Sequence, residues 1–478
     1  MKKLWTKTMD WISGRVGGRD RIWIVFLLAM ALGLDGADLG TVGAMSSILQ
    51  TRFSISKIEI GLLISVSKGI GIFSALFFGG FVDRTCRTRL LAIIVGLWAV
   101  AIIACGAAPS FMFLLGARMV LGALAAATLP CTASLIGDYF PGRDWGRIYG
   151  YILSGEMIGT GFGFIVSGEM AHFWWRLGFW ILAIPSIPLA WFIYQLREPE
   201  RGGQRRRAAK NGEDDERLIG KKAKEAQVEP RKRLVRNDDP ATKSIWWAIK
   251  YVLSIPTNAV LIISSALGYA FFSDVRTFGV EYAQHGYGLS RTAAVGMLAI
   301  LGIGAIAGVW VGGTLGDRLL AKGHLPARVW VATAFFCASV VLFFFGFFFA
   351  ILWLSMILFV CSSFSLGAVN PPLDSARLDI IHPRLWGRAE SVRMVLRNAT
   401  EAAAPVTFGW LVSDFGGGAT GLRNGFFIML IPLAIAGGIA FITFRTYPAD
   451  AAAATAYRKN TINGAGSDDE RENPSEKE

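Results

Sequence analysis

Gly79-Gly80-Phe81-Val82-Asp83-Arg84 and Gly313-Thr314-Leu315-Gly316-Asp317-Arg318 share one pattern, G-x-x-x-D-R. Each closes a long apolar stretch and opens a basic loop, and each ends the second such stretch of its half of the chain. One match is weak, but two at equivalent places point to an internal duplication. Glycine lets helices approach closely in lipid. An aspartate can meet a helix N-terminus or an arginine, and the arginine keeps the loop on the cytoplasmic face. The motif reads as a latch that holds one conformation of a rocking protein. The competing reading is a static salt bridge.

A membrane-crossing helix needs about 20 mostly apolar residues. Such stretches occur at 22–48, 59–82, 90–107, 111–136, 148–169, 174–195, 251–275, 291–315, 329–350, 353–372, 392–413 and 424–445. Six precede and six follow a polar segment from Leu196 to Lys250. Its blocks RGGQRRR, EDDE and RKRLVR mark a solvated linker. The expected fold is an all-α membrane protein with twelve transmembrane helices in two six-helix bundles. The expected divisions are a cytoplasmic N-terminal segment (1–21), a first bundle (22–195), a cytoplasmic linker (196–250), a second bundle (251–445) and a disordered cytoplasmic tail (446–478).

Composition agrees. The chain is 53% hydrophobic and 17% charged, where a soluble domain carries about 25% charged residues. A net charge of +13 can signal nucleic acid, but these bases sit between apolar runs and follow membrane sidedness. With a cytoplasmic N-terminus, about 40 of the 48 Lys and Arg fall inside. Arg52, Lys57, Arg176, Arg276, Arg291 and Arg423 fall outside, and Lys68 and Arg118 lie within spans. Five scattered cysteines without CxxC give no disulfide framework or metal site. The sequence has no P-loop, HExxH or GxSxG, so an enzyme or an ATP-driven pump is disfavoured and no cofactor is expected.

Ionisable residues at membrane depth are functional candidates. Asp35 and Asp38 share a face of the first span, where close carboxylates repel and one is a plausible proton carrier. Arg118 in the fourth span keeps its charge, so it neutralises an aspartate or binds an anionic substrate rather than carrying the proton. Glu156, within the glycine run Gly155 to Gly163 of the fifth span, is a second protonation candidate. Asp274 reads as lying near the outer end of the seventh span. Arg397 and Glu401, four apart, read as a local helix pair. Tyr269, Asn370, Asn398 and Glu401 are candidates for lining a cavity, and Lys68 snorkels or pairs.

The signature after the second helix of the major facilitator superfamily reads G-x-x-x-D-R/K-x-G-R-R/K. The chain resembles that family in Gly79, Asp83, Arg84 and Arg87, with Cys86 and Thr88 at the departures, and in Gly313, Asp317 and Arg318. The resemblance implies two bundles around a central cavity, with alternating access by rocking. Arg118 to Gly122 resembles the family's proton-coupling motif, and the Gly155 run its antiporter motif with Thr160 and Phe164 as departures. Two branches are similar. Asp38 through Ile55, Ser134 to Phe140, Arg197-Glu198-Pro199 and Leu378 to Leu385 resemble spinster-like transporters. Asp35-Gly36-Ala37-Asp38, Gly43 and Pro130 resemble aromatic acid–proton symporters. The expectation is a proton-coupled secondary transporter of a small anionic or amphiphilic molecule, with an organic acid symporter as the alternative and a non-transporting receptor or sensor as a third reading. The expected partners are the lipid bilayer, a small-molecule substrate and protons, without nucleic acid. A monomer in the cell membrane, with both termini cytoplasmic, is expected.

Overall fold

A computed structural model describes residues 19–55, 57–201, 218–349 and 351–472. Most of the expected N-terminal segment (1–18), the middle of the linker (202–217) and the last six residues lie outside the described residues.

The first half contains α1 (Arg19–Ala44), α2 (Ser46–Phe53), α3 (Lys57–Val82), α4 (Arg87–Ala107), α5 (Phe111–Tyr139), α6 (Trp145–Phe162), α7 (Gly168–Phe173) and α8 (Trp175–Tyr194). A π turn at Gly163–Ser167 joins α6 to α7. Two short linker helices follow, α9 (Leu218–Glu225) and α10 (Ile245–Ser254). The second half contains α11 (Pro256–Tyr287), α12 (Arg291–Ala321), α13 (Ala327–Phe348), α14 (Leu352–Ile380), α15 (Trp386–Asp414), α16 (Gly418–Ala440) and α17 (Thr443–Glu472).

Local chemistry sets several ends. The Ser110 and Ser290 hydroxyls accept the Phe113 and Ala293 N–H groups, capping α5 and α12. Ile255 is extended and Pro256 begins α11, because proline lacks the N–H that a helix interior needs. The expected 251–275 span is therefore divided. Its first residues belong to α10, and the true span runs on to Tyr287.

Among the described residues, ten helices are long and apolar enough to cross a membrane. Two more complete twelve: α6 with its π turn and α7, and α15. Their composition explains why apolarity alone passes over them: α6 carries Arg147, Glu156 and a run of glycines, and α15 carries Arg388, Glu390, Arg393, Arg397 and Glu401. Those five α15 side chains are buried in protein rather than facing lipid. Large apolar side chains such as Phe73, Phe77, Trp191 and Trp410 are exposed on the outside instead, as a lipid-facing surface requires.

In the first bundle α1 packs on α6, α3 on α5, and α4 on α5 and α8. In the second, α12 packs on α14, α13 on α14 and α16, and α11 on α15 and α16. The bundles meet through α3 with α15 and α6 with α12. The glycine run of α6 serves close packing: a Cβ at Gly159 would lie 1.9 Å from the Gly33 carbonyl oxygen. No rotamer relieves a clash with backbone, so Gly159→Val is expected to abolish a folded, monodisperse protein. Wild-type yield and melting temperature would contradict this packing.

The tail differs from the disordered segment expected. Its chain is helical through Glu472. Tyr447, Asp450 and Tyr457 are buried. The Tyr447 hydroxyl donates to Asp379 (2.6 Å) and that of Tyr457 to the Asp238 carbonyl (3.0 Å). The Asp450 carboxylate accepts the Thr257 N–H (3.0 Å) and pairs with Arg231 (2.8 Å). Tail and linker thus form a cap over one end of the bundles, here termed the linker end.

Glu198, past the end of α8, ties the linker to the first bundle. Burial pushes its carboxyl up, but the Arg87 guanidinium at 2.7 Å and the Thr88 N–H outweigh burial and hold it below its usual range. A carboxyl lowered on folding stabilises at neutral pH, and that contribution fades as acid protonates it. Glu198→Gln is expected to lower the melting temperature at neutral pH, with the gap to wild type closing toward acid. A constant gap would show that its charge is immaterial.

Candidate functional site

The two G-x-x-x-D-R aspartates each reach into the opposite bundle. Asp83 accepts the Gly387 N–H (2.9 Å), the Arg388 N–H (3.1 Å) and Arg388 Nε (2.8 Å). Asp317 accepts the Gly146 N–H (3.1 Å), the Arg147 N–H (2.8 Å) and Arg328 Nη2 (2.7 Å). Gly387 and Gly146 are second residues of α15 and α6, so each carboxylate sits where a helix presents free N–H groups and positive potential. A Cβ at Gly79 would lie 2.3 Å from Ser391 Oγ, and one at Gly313 would lie 2.0 Å from the Gly146 carbonyl oxygen. Gly313→Ala is therefore expected to force the linker end apart and raise maleimide labelling of Ser391→Cys, a position otherwise fully buried in the seam. Unchanged labelling would contradict a tight seam.

The arginines of the motif divide differently from expectation. Arg84 donates to the Lys243 carbonyl of the linker (3.1 Å). Arg318 is exposed. Arg87 is not part of the latch: it is buried inside the first bundle, bound to Asp138, Ser134 and Glu198. It starts α4, which packs on α5, so its guanidinium points at the end of α5 rather than at the seam. The cations that meet the latch aspartates are Arg388 and Arg328. A sequence signal for this existed in a second repeat, Trp145-Gly146-Arg147 and Trp386-Gly387-Arg388. The two indoles meet edge to face at 5.6 Å across the seam.

Deeper in the seam lies a cluster of charges. Arg397 on α15 donates Nη2 to Glu156 on α6 (2.9 Å) and Nε to Glu401 (2.8 Å), and its guanidinium lies 3.6 Å from the ring centre of Tyr269 on α11. Lys68 on α3 pairs with Glu401 (3.4 Å). The expected local pair of Arg397 and Glu401 is thus part of a bridge between bundles. Glu156 stands eleven residues after Trp145, and Arg397 eleven after Trp386. The same position of the repeat is acid in one half and base in the other, and the two meet. Asn398 is buried beside Gly71, with its side-chain oxygen unpartnered. Asn370 is half-buried on α14 and makes no hydrogen bond to this cluster among the described residues.

The two aspartates of α1 have different surroundings. Asp38 is buried and bound to Arg118, which is itself 1% exposed. Asp35 is half-buried and makes neither an ion pair nor a side-chain hydrogen bond among the described residues. The charges acting on it are Lys68, Glu156, Asp38 and Arg397. Beside it lies a small crevice lined by Leu34, Trp98 and Thr128 among others. Asp38, Glu156 and Glu401 each pair with a base of the cluster (Arg118, Arg397 and Lys68), whereas Asp35 has no ion pair among the described residues.

The sequence profile of the Major Facilitator Superfamily matches residues 22–405. The chain belongs to the Major Facilitator Superfamily. It is 28% identical over 169 residues to the niacin transporter NiaP of Acinetobacter baylyi, a stretch covering 35% of this chain and 37% of that protein. It is 26% identical over 190 residues to a gallate transporter of Pseudomonas putida, covering 38% of this chain and 42% of that one. The chain thus spans less than half the length of either relative. A solved superfamily structure, a bacterial homologue of the human lysosomal transporter Spinster, superposes with a TM-score of 0.58 at 19% identity, covering 90% of this chain and 98% of that one. That likeness shows a shared fold.

Proposed function

We propose that this superfamily member is a secondary transporter that moves a small organic carboxylate across a membrane, coupled to protons, by alternately opening the two ends of its seam. The observation that carries the reading is Arg397, a guanidinium held at the seam by carboxylates of both bundles and laid on an aromatic face. A guanidinium binds a carboxylate bidentately. Because Glu156 and Glu401 already occupy it, a substrate carboxylate competes with Glu156. Protonation of Glu156 removes that competitor, so proton and substrate bind together. Asp35, unpaired beside the crevice, is the second proton-binding group of this mechanism, and the Asp38–Arg118 pair fixes its neighbourhood. Niacin and gallate, named in two relatives, are aromatic carboxylic acids, the chemistry that a guanidinium laid on an aromatic ring would hold. The positive excess of the linker and short loops favours a cytoplasmic linker end and a cell-membrane location.

The test is uptake of nicotinate, gallate and benzoate into proteoliposomes under an imposed pH gradient. Wild type is expected to accumulate at least one of them. Asp35→Asn is expected to lose gradient-driven accumulation while keeping exchange of the same acid across the membrane. Equal accumulation by both proteins would remove Asp35 from coupling, and absence of uptake for every acid would sink the substrate class.

A further inference from the structure

Asp274 has no place in the mechanism above. It was expected near the outer end of its span, but it lies near the middle of the 32-residue α11. Its neighbour Ser273 donates to the backbone carbonyl of Glu401 (3.2 Å), which sets Asp274 level with the charged cluster. Its side chain does not join that cluster. Asp274 is fully buried, and neither carboxyl oxygen has a hydrogen-bond partner among the described residues. Helical spacing puts it on the face of Phe271 and Phe278. Phe271 packs on Phe343 (4.8 Å) and Phe426 (6.4 Å), and Phe278 stacks on Phe408 (4.6 Å). That face of α11 therefore packs on aromatic rings of α13, α15 and α16.

The charged groups of the packed elements are engaged elsewhere. On α15, Arg397 and Glu401 bind one another and the seam. Arg423 of α16 lies over Phe427, and Arg276 of α11 lies over Phe272. Asp317 of α12, Arg328 of α13 and Asp379 of α14 belong to the linker-end network, with Tyr447 of α17. Asp374 of α14 lies between Arg377 and Arg393, and Asp450 of α17 is held by Thr257 and Arg231. Among the described residues no cation pairs with Asp274, so burying it ionised in this packing is costly. A leucine would fill the site at less cost, so packing does not account for the residue.

We propose that Asp274 is a proton-binding site of the second bundle that keeps its proton while the linker end is closed and releases it to water when α11 and α15 shift against each other. The step is simple dissociation of the carboxyl group, with water taking the proton. Because Ser273 anchors the Glu401 backbone, the same shift that disturbs the Arg397 cluster opens the Asp274 face. The proposal rests on the alternating-access reading but not on the substrate class or on Asp35.

The test is infrared spectroscopy of the full chain in lipid at neutral pH, where an ordinary aspartate is ionised. Wild type minus Asp274→Asn is expected to show the C=O stretch of a protonated carboxyl without hydrogen bonds. In an Asp83→Asn/Asp317→Asn background, whose linker end is shown to be open by labelling of Ser391→Cys in the same preparation, that band is expected to fall at least twofold. A band missing from wild type, or equal in closed and open backgrounds, would overturn the proposal. Asp274→Leu should retain a wild-type or higher melting temperature, and a large loss would assign the residue to structure instead. No step of this test uses transport, so failure of proton coupling at Asp35 and failure at Asp274 are told apart.

Discussion

Arg397→Lys is expected to weaken nicotinate binding by roughly tenfold or more, while Glu156→Gln strengthens it and flattens its pH dependence. The lysine keeps the charge but loses the planar fork, and a hydrogen bond to a charged group contributes about 1.5–3 kcal/mol. A loss at the lower end already corresponds to about a tenfold change in affinity. Lysine also remains able to neutralise Glu156 and Glu401, so the fold should survive. Alanine is the poorer test, because Glu156 would lose its cation and the buried Glu401 one of its two, at a cost of up to about 3–5 kcal/mol. Glutamine at 156 imitates the protonated acid and frees one side of Arg397 at every pH. Calorimetric titration across acid to neutral pH checks both variants. Unchanged affinity in Arg397→Lys would remove the anchor, and a Glu156→Gln protein with wild-type pH dependence would remove the competition.

Asp83→Asn is expected to open the linker end far more than Asp317→Asn does. Asp83 accepts three hydrogen bonds, one of them from the Arg388 side chain. Arg388 keeps other acceptors in the Pro240, Lys243 and Arg384 carbonyls, so it is not stranded when the carboxylate becomes an amide. The loss falls on the contact between bundles. Forfeiting one charge-assisted bond of about 1.5–3 kcal/mol shifts a two-state equilibrium by roughly tenfold to a hundredfold. At the other latch Arg328 remains bound to Asp379 (2.5 Å) and to the Gly142 carbonyl (2.5 Å) of the opposite bundle, which still bridges the seam. Labelling of Ser391→Cys by an impermeant maleimide, in a background without native cysteines, should therefore rise strongly for the first variant and weakly for the second. Equal or reversed responses would show that Arg328 does not share the load at Asp317.

Hydropathy and the duplicated motif made most of the fold readable, because lipid demands long apolar helices whatever their partners. Reading failed where one residue's neighbours lie far along the chain. Asp83 finds its helix N-terminus 304 residues away, and no local pattern links it to Arg388 or links Asp317 to the Trp145-Gly146-Arg147 segment. Arg397 and Glu401 fitted a local helix pair by spacing, and nothing local reveals that Glu156 and Lys68 come from the other bundle. Asp35 and Asp38 were equal candidates in sequence. Arg118, 80 residues from Asp38, separates them by pairing with one and not the other. Asp274 was misplaced because Pro256 moves the start of its span.

Arg143 and Arg384 occupy equivalent positions beside the two Trp-Gly-Arg segments, one in each bundle, the first exposed and the second half-buried and paired with Asp239 of the linker. Spin labels at these sites report the width of the linker end by pulsed electron resonance in lipid. A moving seam requires two distance populations, with the longer one enlarged in Asp83→Asn and its share altered by nicotinate and acid. A single distance, the same in wild type and Asp83→Asn and indifferent to ligand and pH, would mean that the bundles do not rock about this seam.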